Sequence, residues 1–185
     1  AQDLQNSGFG AEVQTVEKTS SDPVQSSPSQ AVIDAVNEGV VIKNFLGHGA
    51  VANTGFGLDD PDFFQENGRY PLILSLGCLS GNVFDPQTSV SERFVLAPGQ
   101  GSIGYLASSG FGYPGALTNF GRDFYQLLGE ELYGQGLGVV VKKVKEKYGS
   151  SPSFPVRSLA QQLHLHADPA LRLSGPPAPD YTPDF

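Results

Sequence analysis

Apolar runs of strand length recur along the chain and are separated by polar, glycine-rich segments. Three of them, at residues 40–47, 71–77 and 101–107, predict buried β-strands, because a strand covered on both faces needs no polar alternation. An alternating segment at 11–18 predicts a further short strand, and residues 170–173 resemble a last one. The pattern therefore predicts a sheet built from several short strands.

Helical spacing of the apolar residues marks the segments between these strands. The first helix is predicted to begin at Ser27 and Pro28, a capping residue followed by proline, and to end at Gly39. Further helices are predicted at 89–97, 117–133, 137–148 and 155–166. Strands that alternate with helices predict an α/β protein with a three-layer fold, in which helices flank a mainly parallel central sheet.

Two chemically reactive side chains follow the first two buried runs. His48 comes directly after the run 40–47, and Cys78, the only cysteine, follows the run 71–77. Parallel strands present the residues after their carboxyl ends at one edge of the sheet, where α/β proteins place their sites. A thiol and an imidazole at that edge indicate a nucleophile and its general base.

Glycines surround both residues. The backbone N–H groups of Gly49 and Cys78 are predicted to form a two-donor oxyanion hole. Gly47 and Gly77 remove side-chain bulk at the strand ends, which lets a substrate backbone approach closely. The glycine-rich loop after the third strand is predicted to add substrate-binding positions, namely Ser108, Ser109 and Gly110.

Each of the two reactive residues also has an ordinary interpretation. A lone cysteine in an apolar segment is often a small buried hydrophobe. A lone histidine is often a hydrogen-bonded core or surface residue. The equivalent positions of His48 and Cys78 at two strand ends favour the catalytic interpretation. The other histidines, His164 and His166, are predicted to be structural or exposed.

Composition narrows the classes of function. The 185 residues suit one domain, and a net charge of -8 argues against a nucleic-acid-binding surface, which needs a basic patch. One cysteine excludes an internal disulfide and a multi-cysteine zinc site. The apolar runs are too short to span a bilayer. Because the chain starts with alanine and contains no methionine, we interpret it as a piece of a longer precursor.

An acidic stretch lies between the histidine and the cysteine, formed by Asp59, Asp60, Asp62 and Glu66. Its spacing lacks the glycine and the terminal glutamate of an EF-hand loop. We therefore expect a solvated acidic loop. Two alternatives stay open, that the stretch lines the substrate pocket or that it binds calcium.

Four sequence blocks resemble a known family. They are Asn-Phe-Leu-Gly-His-Gly at 44–49, the segment 71–81 around Gly-Cys, the segment 92–105, and the segment 163–173 with Ala-Asp-Pro-Ala-Leu. Together they resemble the gingipain-type cysteine peptidase domain of peptidase family C25, from about Gly8 to Leu173. The His-Gly and Gly-Cys blocks are the specific parts of this match.

The resemblance implies a caspase-like fold and a Cys–His dyad in which His48 is the base and Cys78 the nucleophile. Gly49 and Cys78 would supply the oxyanion donors. It also implies a peptide or protein substrate, and a secreted or surface location in bacteria that use type IX secretion. No cofactor is needed for the chemistry, and calcium is expected as a structural ion at most.

The family's acidic third catalytic residue and part of its specificity pocket lie upstream of the histidine block. We therefore expect residues 1–173 to form a C25-type peptidase domain that lacks its N-terminal strands, and 174–185 to be a proline-rich linker. The longer precursor would supply other domains as partners.

The hypothesis from sequence is a cysteine endopeptidase that works through an acyl-enzyme. Two alternatives remain. One is a catalytically idle caspase-like module within a surface or secretion protein. The other is a sortase-like transpeptidase, which uses the same dyad but passes the acyl group to an amine.

Overall fold

A four-stranded sheet forms the centre of the structure, a computed structural model that describes residues 5, 9–18, 20–22, 25 and 29–173. The strands are β1 (Ile42–Leu46), β2 (Leu72–Leu76), β3 (Gly104–Ser108) and β4 (Leu163–His166). They lie side by side in the order β1-β2-β3-β4. The first three are parallel, and β4 runs antiparallel to β3. The prediction of a mainly parallel sheet is confirmed.

Five helices and one 3-10 turn connect the strands within the described residues. They are α1 (Gln30–Glu38), the 3-10 turn (Pro61–Phe63), α2 (Val90–Leu96), α3 (Pro114–Gly129), α4 (Leu137–Gly149) and α5 (Phe154–Gln162). Helix α1 ends at Gly39, which has the positive φ of 105° that glycine tolerates. Helix α2 begins with a capping box between Ser89 and Glu92.

The residues of β2 alternate between two hydrophobic clusters on opposite faces of the sheet. Leu72, Leu74 and Leu76 pack with residues of α3, α4 and α5. Ile73, between them, packs with α1, α2 and the side chain of Phe64. All five residues of β2 are buried, because helices cover both faces and strands pair with both edges. The predicted three-layer arrangement is therefore confirmed.

The C-terminal part differs from the prediction. The helix predicted over 155–166 stops at Gln162, and Leu163–His166 forms β4 instead. The outer edge of β3 is free to pair, and this pairing satisfies the backbone groups of both strands. The strand predicted at 170–173 is wrong. The segment there caps α4, since the N–H groups of Leu137 and Gly138 donate to carbonyls at Leu171 and Pro169, at 2.8 and 2.9 Å.

Two further predictions concern the N- and C-terminal segments. Residues 11–18 form no strand, although Ala11 packs against the cluster on the α3 side of the sheet. The proposed cap at Ser27 and Pro28 and the predicted linker at 174–185 lie outside the described residues.

Candidate active site

The carboxyl ends of β1, β2 and β3 meet at one edge of the sheet. The N–H of Gly47 donates to the Leu76 carbonyl at 3.3 Å, which joins the ends of β1 and β2. The N–H of Leu79 donates to the Gly110 carbonyl at 3.0 Å, which joins the ends of β2 and β3. The loops that carry His48, Cys78 and Gly110 therefore form one surface.

Cys78 lies on this surface, in the loop that follows β2. The residue is half-buried, and its sulfur accepts a hydrogen bond from the N–H of Gly112 at 3.3 Å. The carbonyl oxygen of Gly112 lies 3.9 Å from the same Sγ atom. The loop after β3 thus orients the thiol, although sequence reasoning did not assign Gly112 any part in the site.

The chain turns sharply directly after the cysteine. Leu79 has a φ of 58°, in the left-handed region that residues with a side chain rarely adopt. The turn is held by hydrogen bonds on both sides, since the Leu79 carbonyl accepts from the N–H of Asn82 at 2.9 Å. Backbone strain of this kind persists where surrounding bonds determine it, and it is concentrated at functional sites.

Gly49 lies against the backbone of Cys78. A Cβ atom at Gly49 would lie 2.6 Å from the Cys78 carbonyl oxygen and 3.2 Å from the Cys78 nitrogen, so only glycine fits there. Within the described ranges, the N–H groups of Gly49 and Cys78 donate to no protein acceptor. Two unused backbone donors therefore lie side by side next to the thiol.

His48 follows the end of β1 as Cys78 follows the end of β2. The register pairs Leu46 with Leu76, and two more residues on each strand lead to His48 and Cys78. The backbone of His48 is fixed, since its carbonyl accepts from the N–H of Gly55 at 2.6 Å. The side chain is exposed, and its imidazole makes no hydrogen bond or ion pair to any residue that the structure describes. The Cys78 sulfur accepts a hydrogen bond from Gly112, and no hydrogen bond joins it to the His48 imidazole.

The other predicted site residues mainly shape the strand ends. A Cβ at Gly47 would lie 2.9 Å from the Phe45 ring, and one at Gly77 would lie 3.1 Å from the Gly47 carbonyl. These two glycines thus allow the ends of β1 and β2 to pack closely.

The two serines of the loop after β3 form hydrogen bonds with other residues of the protein. The Ser108 side chain is fully buried, and its hydroxyl donates to the Gly110 carbonyl at 3.1 Å. The Ser109 hydroxyl lies 3.0 Å from Nε2 of His164 on β4. Because both hydroxyls already have partners, these side chains hold the loop in shape.

The half-buried histidines of β4 lie behind this loop. Burial lowers the pKa of His164, and the nearby positive charge of Lys145 lowers it further. Burial is also the main cause that lowers the pKa of His166. Both imidazoles are therefore held towards the neutral form.

The carboxylates of the acidic stretch have separate local partners. Asp59 accepts hydrogen bonds from Thr54, and the Asp60 carboxylate accepts from the N–H of Asp62 at 3.1 Å. The Glu66 carboxyl group lies against Gly99. Among the residues that the structure describes, no group of three or more His, Cys, Asp or Glu side chains is arranged to hold a metal ion. Calcium binding by this stretch therefore stays a prediction.

The histidine, cysteine and glycine blocks that form this edge lie within a match to a known family. The sequence pattern of Peptidase family C25 matches residues 4–174. The chain belongs to peptidase family C25. The resemblance to that family, inferred above from four sequence blocks, is therefore confirmed.

Solved structures share the fold of this C25 domain. A complex of Porphyromonas gingivalis RgpB pro- and mature domains has a TM-score of 0.67 at 19% identity, covering 77% of this chain and 36% of that chain. The Arg-specific cysteine proteinase gingipain R (RGPB) has a TM-score of 0.65 at 20% identity, covering 79% and 36%. A structure described as a protease has a TM-score of 0.65 at 14% identity, covering 80% and 38%. The predicted caspase-like fold is confirmed.

The C25 domain spans 36% of the two RgpB chains that it matches. A search of curated proteins found no match. Within the described ranges, no helix has the length and apolar character needed to cross a membrane.

Proposed function

We propose that this C25 domain carries the catalytic dyad of a cysteine endopeptidase, with Cys78 as the nucleophile and His48 as the general base. One observation supports the proposal above all others. The last paired residues of β1 and β2 are Leu46 and Leu76, so His48 and Cys78 each lie two residues beyond the end of neighbouring strands, at one edge of the sheet. Membership of peptidase family C25 supports the class of cysteine peptidase. The roles of His48 and Cys78 are what we propose in addition.

The proposed reaction is acyl transfer from a peptide bond to the thiol. His48 takes the proton of the Cys78 thiol, and the sulfur attacks the carbonyl carbon of the substrate. An S–C bond forms while the C=O electron pair moves to the oxygen. The C–N bond then breaks as His48 donates its proton to the leaving amine, which gives an acyl-enzyme. Water, deprotonated by His48, hydrolyses the acyl-enzyme to the acid and restores the thiol.

The oxyanion of this reaction would be bound by the unused N–H groups of Gly49 and Cys78. Each lies on the backbone at the end of its strand, so no side chain has to be reorganised when charge develops. The imidazole has to turn towards the sulfur for the first step. Because His48 is exposed and without hydrogen bonds to the described residues, such a rotation breaks no hydrogen bond with them.

Three further points belong to the same proposal and rest on the family resemblance. The substrates are peptides or proteins, the protein acts outside the bacterial cytoplasm, and upstream segments of a longer chain complete the specificity pocket. The domain itself makes up 36% of the matched RgpB chain, which leaves room for such segments.

The proposal is tested by Cys78→Ala in the full-length protein, assayed on a mixed peptide library. We expect cleavage to be lost to the level of the background, because the substitution removes the proposed nucleophile. The free energy of unfolding should fall by only about 1 kcal/mol, since Cys78 is half-buried and the side chain is small. Ser153→Ala, on the exposed start of α5, is the matched control and should keep full cleavage.

Cleavage that survives Cys78→Ala would overturn the peptidase proposal. A large loss of stability, with no cleavage by either protein, would identify Cys78 as a structural residue of an idle module. A ligated product that appears only when an amine is added would identify a transpeptidase.

A further inference from the structure

A tight hairpin carries both His48 and Gly49. Gly49 pairs with Thr54 in an isolated antiparallel bridge. On one side of the bridge, the N–H of Gly55 donates to the His48 carbonyl at 2.6 Å. On the other, the N–H of Ala50 donates to the Asn53 carbonyl at 2.8 Å. The positions of His48 and Gly49 therefore depend on where Thr54 is held.

Thr54 is held by the carboxylate of Asp59. Oδ1 of Asp59 accepts a hydrogen bond from the N–H of Thr54 at 2.8 Å. The same oxygen accepts a short hydrogen bond from the Thr54 hydroxyl. Thr54 is only 5% exposed, so neither donor has water as a ready substitute.

Two cationic side chains from neighbouring elements lie close to the Thr54–Asp59 contact. Lys43, on β1, lies with its ammonium 3.4 Å from the Leu58 carbonyl, next to Asp59 in the chain. Arg93, on α2, donates to the carbonyl of Ala52 at the tip of the hairpin. Burial raises the pKa of Asp59, while its hydrogen bonds from Thr54 and the charges of Lys43 and Arg93 act in the opposite direction.

We infer that Asp59 is a positioning residue, which acts through Thr54 to hold the His48–Gly49 turn against Cys78. The inference rests on the proposed function of His48 and Cys78. Gly49 lies so close to Cys78 that a Cβ would overlap the cysteine backbone. A shift of the hairpin by about 1 Å would therefore move both the imidazole and a backbone donor away from the sulfur, and a misplacement of that size costs about 100-fold in rate.

This assignment replaces the expectation of a solvated acidic loop at Asp59. Its neighbour Asp62 does fit that expectation, since it is exposed and its carboxylate has no partner among the described residues. Asp62→Ala is therefore a matched control for Asp59→Ala, with the same chemical change a few residues away.

The experiment uses the full-length protein with two readouts, hydrogen exchange of the hairpin amides and alkylation of Cys78 by iodoacetamide. In Asp59→Ala we expect the Thr54 and Gly55 amides to exchange at least about tenfold faster, because the anchor that protects them is lost. The excess alkylation rate that depends on His48, measured against His48→Ala, should fall at least about tenfold. Asp59→Asn keeps an acceptor oxygen for Thr54 and should retain most of both signals. Asp62→Ala should match the wild type.

Thr54→Val keeps the N–H donor and removes the hydroxyl, so it tests the anchor even if Asp59→Ala fails to fold. It should give intermediate exchange and intermediate alkylation. Wild-type exchange and alkylation in Asp59→Ala would overturn the inference. Faster exchange with an unchanged His48-dependent excess would also overturn it, because Asp59 would then stabilise the hairpin without positioning the dyad. A wild type whose alkylation does not depend on His48 would instead contradict the proposed function, while the exchange data still decide whether Asp59 holds the hairpin.

Discussion

Lys43 is a charged residue in an apolar setting, and its replacement gives a quantitative test of the structure. Its ammonium lies 4.7 Å from the centre of the Phe64 ring and 5.0 Å from that of Phe94. Burial lowers its pKa from 10.5 to about 8, although the negative charge of Asp59 acts in the opposite direction. This difference corresponds to a cost of about 3 kcal/mol for keeping the lysine charged in the folded state. We therefore expect Lys43→Met, which has a similar length and no charge, to raise the free energy of unfolding at pH 7 by up to about 3 kcal/mol, because it removes the cost of burying that charge.

The pH dependence provides the sharper part of this test. At pH 7 the lysine carries its proton in both the folded and the unfolded state, so the wild type bears the full cost. Above pH 8 the folded state releases the proton while the unfolded state keeps it until about pH 10.5. The wild type therefore gains stability over this window, because the unfolded state binds more protons. The difference in the free energy of unfolding between Lys43→Met and the wild type should therefore shrink by about 2 kcal/mol between pH 7 and 9.5.

Urea unfolding of both proteins at several pH values measures this difference directly. Other groups that titrate in the window are present in both proteins and cancel. Lys142→Met is the matched control, since Lys142 is exposed and forms an ion pair with Glu146 on the surface of α4, with an N–O distance of 3.6 Å. It should change stability by less than about 0.5 kcal/mol at every pH. A difference between Lys43→Met and the wild type that stays constant from pH 7 to 9.5 would refute the reasoning.

Two further predictions concern the strand ends and the start of α2. Gly49→Ala should reduce the His48-dependent alkylation of Cys78 at least about tenfold, because the new Cβ would lie 2.6 Å from the Cys78 carbonyl oxygen. Gly115→Ala, which meets nothing within 4 Å, is its control, and equal rates in both variants would contradict the account. Ser89→Ala should lower the free energy of unfolding at pH 7 by about 1 kcal/mol. The substitution removes the hydroxyl that donates a hydrogen bond to the Glu92 carboxylate at 2.6 Å. The Ser89 hydrogen bonds lower the pKa of Glu92, so the part of this loss that depends on the carboxylate should fade as the pH falls through that lowered pKa. The part that comes from the cap bond to the Glu92 N–H should remain. Urea unfolding at several pH values from 7 downwards measures both parts, and a loss that is equal at every pH would contradict the role of the carboxylate.

The sheet could be predicted from sequence where burial alone determines the element. The run at 71–77 is apolar except for Ser75 because β2 has helices on both faces, and its bounds are close to those observed. The spacing predicts a helix over Leu163–His166, but these residues pair with β3, whose central partners lie 57 to 59 positions earlier in the chain. Local spacing carries no information about such a partner.

The candidate site also contains residues that the local sequence indicates and residues that only distant contacts bring together. His48 and Cys78 were found because each directly follows a recognisable buried run, so their position needed only the strand prediction. The hydrogen bond from Gly112 to the sulfur joins residues 34 positions apart and has no sequence signal beyond a glycine in a loop. Asp59 was assigned to a solvated loop because its partner Thr54 is brought close only by the hairpin.

The most direct test of the account is the rate at which iodoacetamide alkylates Cys78 in the full-length protein and in His48→Ala, from pH 5 to 10. The account predicts that the wild type reacts at least about tenfold faster near neutral pH, since an adjacent imidazole keeps a reactive thiolate populated. The two rates should converge in alkali, where an ordinary thiol with a pKa of about 8.5 ionises by itself. Equal rates at every pH would mean that His48 does not act on Cys78, and would contradict the proposed dyad.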